Sequence, residues 1–200
     1  MSQSGLAPIV NVASVPNRSP FRYPGGKTWL VPRIRSWFSS MQRQPALVVE
    51  PFAGGGIAGL IVAFEQLAQH VLMVELDPQV AAVWRTILEG DAAWLAQAIV
   101  NFQLNEETLA AALAQTAAST QELAFQTILK NRTHRGGSLA PGAGKVKYGE
   151  KGKGLLSRWY PATISRRILE IARIHDRITF IEGDALAVIK QYTDTADSAF

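Results

Sequence analysis

The feature that most constrains the fold of this chain is a strand–turn–helix pattern at residues 47–59. The apolar run Leu-Val-Val ends in the carboxylate of Glu50, and a glycine-rich turn then opens a new apolar segment. This order predicts a buried β-strand, a tight turn and a helix. Glycines let the backbone approach a ligand, and the helix N-terminus offers unpaired N–H groups. We therefore expect the chain to be built around a nucleotide-like ligand at this turn.

Strands and helices alternate around this turn. The predicted elements, in chain order, are a helix at about 29–39, a strand at 47–50, a helix at 57–67, a strand at 71–75, a helix after residue 78, a strand and turn at 178–186, a helix at 187–192 and the start of a strand at 197–200. Such alternation indicates parallel βαβ units. The predicted fold class is therefore α/β.

Residues 90–163 depart from this alternation. Helices are predicted at 91–102, 106–117 and from a capping box at 119–122 to about 130. A Gly- and Lys-rich segment follows at 138–156, and loops of this length tend to be functional or mobile. Pro161 starts a further helix, on which we expect Arg166 and Arg167 to be available to solvent.

Positive charge is concentrated in one part of the chain. Between Lys130 and Arg167 there are ten Lys and Arg residues and one acid, Glu150, whereas the net charge of the whole chain is +4. A basic run can be a solvated face or a flexible loop. The alternative is a polyanionic partner, because Lys and Arg side chains that neutralise phosphates release counterions.

Composition argues against several kinds of site. The chain has no cysteine, which excludes disulfides, Cys-based zinc sites and a cysteine nucleophile. The three histidines are far apart, so we expect no metal. No apolar run reaches the roughly 18 residues of a membrane span, and the N-terminus shows no secretory pattern. We therefore expect a cytoplasmic protein that does not enter a membrane.

A glycine turn precedes the first helix. Its Gly-Gly-Lys-Thr sequence at 25–28 suggests a phosphate loop, but that motif needs a glycine where Phe21 stands and a strand before it. Two alternatives remain open. The turn caps the following helix, or it forms a ligand site in which Lys27 binds a carboxylate and Tyr23 covers a flat ligand.

The glycines at 54, 56 and 59 match the spacing of a dinucleotide fingerprint, and Glu75 follows Gly54 by 21 residues. An acid at the end of the second strand can accept hydrogen bonds from ribose hydroxyls, although it can also be a plain polar residue at a strand end. Glu50 stands just before the glycines, where it would repel a pyrophosphate. A zwitterionic cofactor such as S-adenosylmethionine tolerates these acids, because it carries an ammonium, a sulfonium and a ribose but no phosphate.

Four motifs occur in an order that resembles one enzyme family. They are Phe-Arg-Tyr-Pro-Gly-Gly-Lys at 21–27, Val-Glu-Pro-Phe-Ala-Gly-Gly-Gly at 49–56, Asn-Arg-Thr at 131–133 and Glu-Gly-Asp-Ala at 182–185. From about residue 21 to 200, the chain resembles the D12-class, Dam-like adenine-specific DNA methyltransferases. The resemblance implies a Rossmann-like, S-adenosylmethionine-dependent methyltransferase core at 21–100 and 164–200, an inserted, mostly helical DNA-recognition subdomain at 101–163 and an N-terminal arm at 1–20.

The resemblance also implies which residues bind S-adenosylmethionine. Tyr23 and Lys27 would cover the cofactor and hold its methionine carboxylate, and Glu50 would lie near its ammonium. Glu75 would bind the ribose and Asp184 would face the adenine amino group. The implied cofactor-binding residues are Tyr23, Lys27, Glu50, Phe52, Gly54, Gly56, Glu75, Asp184 and Ala185.

Double-stranded DNA is the implied partner. Contacts are expected from Lys130, Asn131, Arg132, Arg135, Lys145 and Lys147. His134 and Arg135 depart from the residue types that the family carries at these positions, so the resemblance gives no base preference.

One motif of the family is missing. Asp-Pro-Pro-Tyr occurs nowhere in the 200 residues and would be expected just past Phe200. The adenine amine is a poor nucleophile, so acceptors must engage its N–H groups and an aromatic ring must stack on the flipped base. We therefore expect a C-terminally truncated core with no catalytic residue and no methyl transfer by this chain alone. The alternatives are another Rossmann-type enzyme, such as a different methyltransferase or a nicotinamide-dependent enzyme, and a catalytically inactive DNA-binding module.

Overall fold

A computed structural model describes residues 15–22, 27–192 and 198–199 of the chain. The helices are α1 (Val31–Ser39), α2 (Ile57–Phe64), α3 (Pro78–Leu88), α4 (Ala92–Asn101), α5 (Glu106–Ala114), α6 (Thr120–Thr133), α7 (Pro161–Ala172) and α8 (Ala185–Tyr192). The strands are β1 (Leu47–Glu50), β2 (His70–Glu75), β3 (Ile178–Glu182) and β4 (Ser198–Ala199). All of them pair in parallel, in the order β3-β2-β1-β4. The predicted α/β class with a parallel sheet is confirmed.

The two central strands are buried on both faces, as their continuous apolar runs require. On one face, Val48, Val71 and Met73 pack in the large core that includes Leu60 of α2 and Trp84 of α3. On the other face, alternate residues of the same strands pack with Val188 of α8. The carboxyl ends of β1, β2 and β3 are thereby brought to one edge of the sheet.

Helix α2 is three residues shorter than predicted. It ends at Phe64 because Gln66 adopts a left-handed backbone with φ 53°, and the Leu67 N–H donates back to the Val62 carbonyl at 3.0 Å. Its end is tied to α1 by two hydrogen bonds from the Arg35 guanidinium to the Glu65 carboxylate, at 2.6 and 2.8 Å.

Helices α4, α6 and α7 pack with α3 over the same face of the sheet. Leu95 of α4, Ile128 of α6 and Ile168 of α7 are fully buried members of the core that contains Trp84. At the start of α6, Ser119 accepts the Glu122 N–H, as the capping pattern predicted. The division of residues 21–200 into a core and an inserted subdomain remains a prediction.

Residues 15–22 lie against the body of the protein. Val15 packs with Val31 and Ile61, and the Arg18 guanidinium lies 4.0 Å from the centre of the Phe64 ring. The described part of the predicted arm is therefore docked, because its apolar and cationic side chains find partners on α1 and α2. Nowhere in the described ranges is there a helix with both the length and the apolar character needed to cross a bilayer.

Candidate cofactor and DNA-binding sites

The glycine-rich turn after β1 has a backbone that only glycine adopts easily. Gly54 and Gly56 have φ values of 48° and 64°, and Gly56 is the N-cap of α2. A Cβ on Gly56 would lie 2.7 Å from both the Met73 and the Trp84 side chains. The Trp84 indole N–H donates to the Gly54 carbonyl at 2.9 Å. The turn is therefore held in place by Trp84 of α3.

Glu75, the last residue of β2, is hydrogen-bonded to the segments that follow the neighbouring strands β1 and β3. One carboxylate oxygen accepts the Gly54 N–H at 2.8 Å, and the other accepts the N–H groups of Leu76 and Asp77, both at 2.9 Å. Its backbone carbonyl accepts the Gly183 N–H at 2.9 Å, just after β3. Three backbone donors thus orient this carboxylate at the edge of the sheet, and no cationic side chain takes part in these bonds.

Glu50 is a buried carboxylate at the N-terminus of α2. It accepts the Gly59 N–H at 2.7 Å and the Ala58 N–H more weakly at 3.4 Å. Gly59 permits this approach, since a Cβ there would lie 2.7 Å from the Glu50 Oε2 atom. Burial raises the pKa of Glu50 to about 7, against the opposing effects of the Gly59 N–H, the Lys27 charge and the Ala58 N–H. A nearby cation would lower the cost of holding this group charged.

Lys27 and Glu50 line one groove of about 400 Å³ between α1 and α2. Lys27 begins a short 3-10 turn that leads into α1, and its side chain is exposed. The structure therefore brings together an ammonium group and a carboxylate that the sequence analysis assigned to the two ends of one amino-acid moiety. Tyr23, the other residue predicted in this region, lies outside the described residues.

Three exposed apolar side chains follow the three strand ends. Phe52, Leu76 and Leu186 are each about 60% to 70% exposed and come after β1, β2 and β3, respectively. Asp184 lies between β3 and α8, where its carboxylate accepts the Leu186 N–H at 2.9 Å, and Ala185 is buried. The same edge thus offers apolar surface for a flat ring beside carboxylates that can accept hydrogen bonds.

The residues predicted to contact DNA divide into exposed and buried groups. Arg135, Lys145 and Lys147 are exposed. The loop that carries the two lysines is tied to the end of α6, because the Val146 N–H donates to the Thr133 carbonyl at 2.8 Å and the Arg135 N–H donates to Gly144 at 2.9 Å. This basic segment is therefore anchored to the body of the protein at α6.

Lys130 and Asn131 are turned towards the protein. The Lys130 ammonium donates to the Gln79 side-chain oxygen at 2.8 Å. Asn131 is fully buried; its amide accepts the Arg22 N–H at 2.7 Å and donates to the carbonyls of Arg22 and Gly137, both at 2.9 Å. The Asn131 side chain thus fixes two backbone segments, and its amide is not presented at the surface.

Arg132 is buried and lines a cavity with three further arginines. These are Arg22, Arg158 and Arg167, none of which was predicted from the sequence to be a site residue. Arg167, which we expected to be available to solvent, is half-buried: the Ser19 carbonyl accepts its Nη1 at 3.1 Å, and its side chain lines the cavity. The four arginines are too far apart in the sequence for any local pattern to group them.

Tyr148 is a second feature that the sequence analysis missed. Its side chain is 84% exposed and stands between Lys147 and Lys151 in the Gly- and Lys-rich segment. An exposed aromatic ring between lysines is a combination that favours base stacking beside phosphate contacts.

Among the described residues, no three or more His, Asp or Glu side chains are placed together to hold a metal ion.

Comparison with known proteins gives one finding on identity. No curated protein matches the chain. A model of the D12 class N6 adenine-specific DNA methyltransferase family matches residues 23–121, which include the glycine-rich turn, Glu50 and Glu75. The resemblance found from the sequence motifs is therefore confirmed over residues 23–121, which are similar to the D12 class of N6 adenine-specific DNA methyltransferases.

Proposed function

We propose that this chain provides the S-adenosylmethionine site and part of the DNA-binding surface of an adenine-N6-specific DNA methyltransferase. The observation that carries the proposal is the convergence of Glu50, Gly54, Glu75 and Asp184 at one edge of a parallel sheet. Open α/β sheets bind their ligands at the carboxyl ends of the strands.

The chemistry of these side chains fits S-adenosylmethionine better than a dinucleotide. The Glu75 carboxylate is held by backbone N–H groups, and no cationic side chain takes part in these bonds. The pKa of Glu50 is raised to about 7 by burial, so a cationic group bound beside it would favour its charged form. A pyrophosphate would be repelled at this edge, whereas a ligand with a sulfonium, an ammonium and ribose hydroxyls is attracted. A Rossmann-like core is part of this proposal.

Each group has a role in binding. The Glu75 carboxylate, already oriented by three N–H donors, accepts hydrogen bonds from the ribose hydroxyls. Phe52, Leu76 and Leu186 offer apolar surface to the adenine ring, and Asp184 accepts its amino group. At the groove, Lys27 binds the methionine carboxylate and Glu50 the ammonium. When bound, the cofactor supplies an electrophilic methyl group on its sulfonium.

DNA approaches from the side of α6 and the basic segment after it. Arg135, Lys145 and Lys147 are exposed on this side, and we propose that they contact phosphates. Tyr148 stacks on a base near the target. Asn131 acts as a positioning residue, because its buried amide holds Arg22 and Gly137 in place.

The 200 residues bind cofactor and DNA but do not transfer the methyl group by themselves. The transfer requires acceptors for the N6 protons of a flipped adenine. The Asp-Pro-Pro-Tyr motif that provides them in the family is not in this sequence. Incorporation of labelled methyl into DNA by this polypeptide alone would contradict this part of the proposal.

Thermal shift measurements test the cofactor assignment. We expect S-adenosylhomocysteine to raise the melting temperature and NAD to leave it unchanged. Stabilisation by NAD alone would indicate a nicotinamide enzyme. Stabilisation by neither ligand, together with salt-sensitive DNA binding, would indicate a DNA-binding module without a cofactor.

A pair of variants locates the site. Glu75→Gln should weaken S-adenosylhomocysteine binding about 10- to 100-fold, because a hydrogen bond to a charged group contributes about 1.5–3 kcal/mol. Glu182→Gln is the matched control. Glu182 is paired in register with Glu75 on the next strand, but its carboxylate lies 3.6 Å from the Arg85 guanidinium. Equal losses in both variants would argue against a specific role for Glu75.

A further inference from the structure

The cavity that contains Arg132 is lined by cationic, hydroxyl and apolar groups. It has a volume of about 420 Å³ and lies between the glycine-rich turn, residues 17–22, the end of α6 and the start of α7. Its apolar wall comes from Phe21, Ile57 and Ile164, and hydroxyls come from Thr28 and Thr163. The described residues that line it include four arginines and no carboxylate. This composition is that of a site for an anion.

Two of the arginines are fixed with donors still free. Arg132, 6% exposed, donates from Nη2 to the Pro20 carbonyl, and Arg167 donates from Nη1 to the Ser19 carbonyl at 3.1 Å. The Nε atoms of both side chains are buried and have no hydrogen-bond partner among the described residues. A buried donor without a partner carries a desolvation cost that an acceptor in the cavity would remove.

The positive charges also act on one another. Burial, and after it the charges of Arg167, Arg22 and Arg158, lower the pKa of Arg132 to about 10. The pKa of Arg167 is also lowered, first by burial and then by Arg166. Like charges brought together in a partly buried cavity repel, so an anion placed between them gains more than it would at an exposed site.

The surroundings favour phosphate over other anions. Arg158 ends the turn Gly154–Arg158, which directly follows the segment that carries Lys145, Lys147, Lys151 and Lys153. Arg132 lies three residues before the exposed Arg135. Two of the arginines in the cavity are thus adjacent in the chain to segments with exposed basic residues, as expected if one polyanionic strand contacts both. Guanidinium groups also match the geometry of phosphate oxygens.

We propose that this arginine cavity receives one backbone phosphate of the DNA strand, held by Arg132, Arg158 and Arg167. The inference rests on the proposed function, because it takes DNA as the substrate. The bound phosphate would fix the DNA strand next to the glycine-rich turn, because Gly55 and Ile57 line the same cavity. The DNA strand would therefore be held close to the proposed cofactor site.

Neighbouring residues of α7 give a matched pair of variants. Arg167→Gln removes a charge that lines the cavity, and Arg166→Gln removes an exposed charge one residue away that does not line it. Binding of a labelled DNA duplex is measured between about 50 and 200 mM salt. Arg167→Gln should lower the salt slope by about 0.9 and weaken binding about eightfold at 0.1 M salt, as expected for one lost phosphate contact. Arg158→Gln, on a different element, should behave like Arg167→Gln.

A second measurement uses inorganic phosphate as the probe. Phosphate should raise the melting temperature of the unmodified chain and of Arg166→Gln above its value in chloride at equal ionic strength. Arg167→Gln should lose this shift while remaining folded by circular dichroism. A phosphate shift that is absent from the unmodified chain would overturn the anion site.

The remaining outcomes separate the inference from the proposed function. If phosphate stabilises the chain but Arg167→Gln and Arg166→Gln bind DNA alike, the cavity holds another anion and the assignment to DNA is wrong. Loss of S-adenosylhomocysteine binding in Arg167→Gln, with DNA binding intact, would assign the cavity to the cofactor carboxylate instead. An unmodified chain that binds no DNA at all would refute the DNA-binding part of the proposed function, and the phosphate assignment with it.

Discussion

The two sites beside the glycine-rich turn carry opposite charges but are built in the same way. At the edge of the sheet, the carboxylates of Glu50 and Glu75 are held by backbone N–H groups. In the arginine cavity, the guanidinium groups of Arg132 and Arg167 are held by backbone carbonyls. Backbone dipoles orient a charged side chain without cancelling its charge. Each site therefore favours a ligand of the opposite charge, and at Glu50, whose pKa is about 7, such a ligand would also favour the ionised form.

Holding charged side chains in these two sites lowers the free energy of unfolding, and this loss can be measured. The largest effect is expected at Glu50. Its pKa of about 7 lies above the ordinary value of 4.5, so the folded state binds this proton more tightly than the unfolded state does. The contribution of protonated Glu50 to the free energy of unfolding is fully present below pH 4.5 and is lost as the pH rises through 7. The loss should amount to about 3 kcal/mol, at 1.36 kcal/mol per unit of pKa shift.

Urea unfolding at several pH values checks this expectation. Glu50→Gln should remove most of the dependence between pH 4.5 and 7, whereas Glu107→Gln, an exposed acid on α5, should keep it. Identical pH profiles for both variants would show that Glu50 is not the source of the effect.

The next largest effect concerns the backbone around the arginine cavity. Gly137 has φ 76°, and a Cβ there would lie 2.4 Å from the Arg22 carbonyl oxygen. Gly137→Ala should lower the free energy of unfolding by about 2 to 3 kcal/mol, because backbone strain and overpacking add. Gly142 has the same φ with no atom within 4 Å, so Gly142→Ala should cost only about 1 kcal/mol.

Ligand binding by Gly137→Ala tests whether the arginine cavity and the cofactor site are independent. At a temperature where it is folded, Gly137→Ala should weaken DNA binding and leave S-adenosylhomocysteine binding unchanged. Loss of both ligands together would mean that the two sites are not independent.

Gly56 provides the corresponding test at the sheet edge that carries Glu50 and Glu75. Gly56→Ala should destabilise the chain by about 2 kcal/mol, somewhat less than Gly137→Ala, because the clash is with side chains of Met73 and Trp84 that can shift slightly. Gly152 has φ 72° and open space around it, so Gly152→Ala is the control. Gly56→Ala should weaken S-adenosylhomocysteine binding and spare DNA binding, as measured by calorimetry and anisotropy.

The smallest effect on stability is expected at Asp184. Asp184→Asn keeps an oxygen that can accept the Leu186 N–H, so the free energy of unfolding should change by less than about 0.5 kcal/mol. Binding of S-adenosylhomocysteine should nevertheless weaken, because the amide carries no charge for the adenine amino group. A change in stability without a change in affinity would reduce Asp184 to a helix cap.

The residues at the sheet edge with Glu50 and Glu75 could be predicted from the sequence, whereas those of the arginine cavity could not. Glu50, Gly56 and Glu75 belong to one strand–turn–helix–strand unit, in which local spacing decides what meets at the sheet edge. Arg132 and Arg167 meet only because separate helices pack together and residues 15–22 cover them. Periodicity gives the face of a helix but not what covers that face, which is why Arg167 was expected in solvent.

Helix ends show the same limit on a smaller scale. The end of α2 was misplaced because the left-handed backbone at Gln66 has no marker in residue type. Asn131 was predicted at the DNA interface from its motif alone. Its burial depends on a contact with Arg22, which lies 109 residues away in the chain.

The docking of residues 15–22 has a consequence for the order of folding. The hydrogen bonds that close the arginine cavity join positions 112 and 148 residues apart, whereas Glu50 bonds to groups only eight and nine residues away. Contacts between distant segments pay a larger loop-closure entropy and tend to form late. The contacts of Glu50 should therefore form before the arginine cavity closes, and the competence to bind DNA would report completion of the fold.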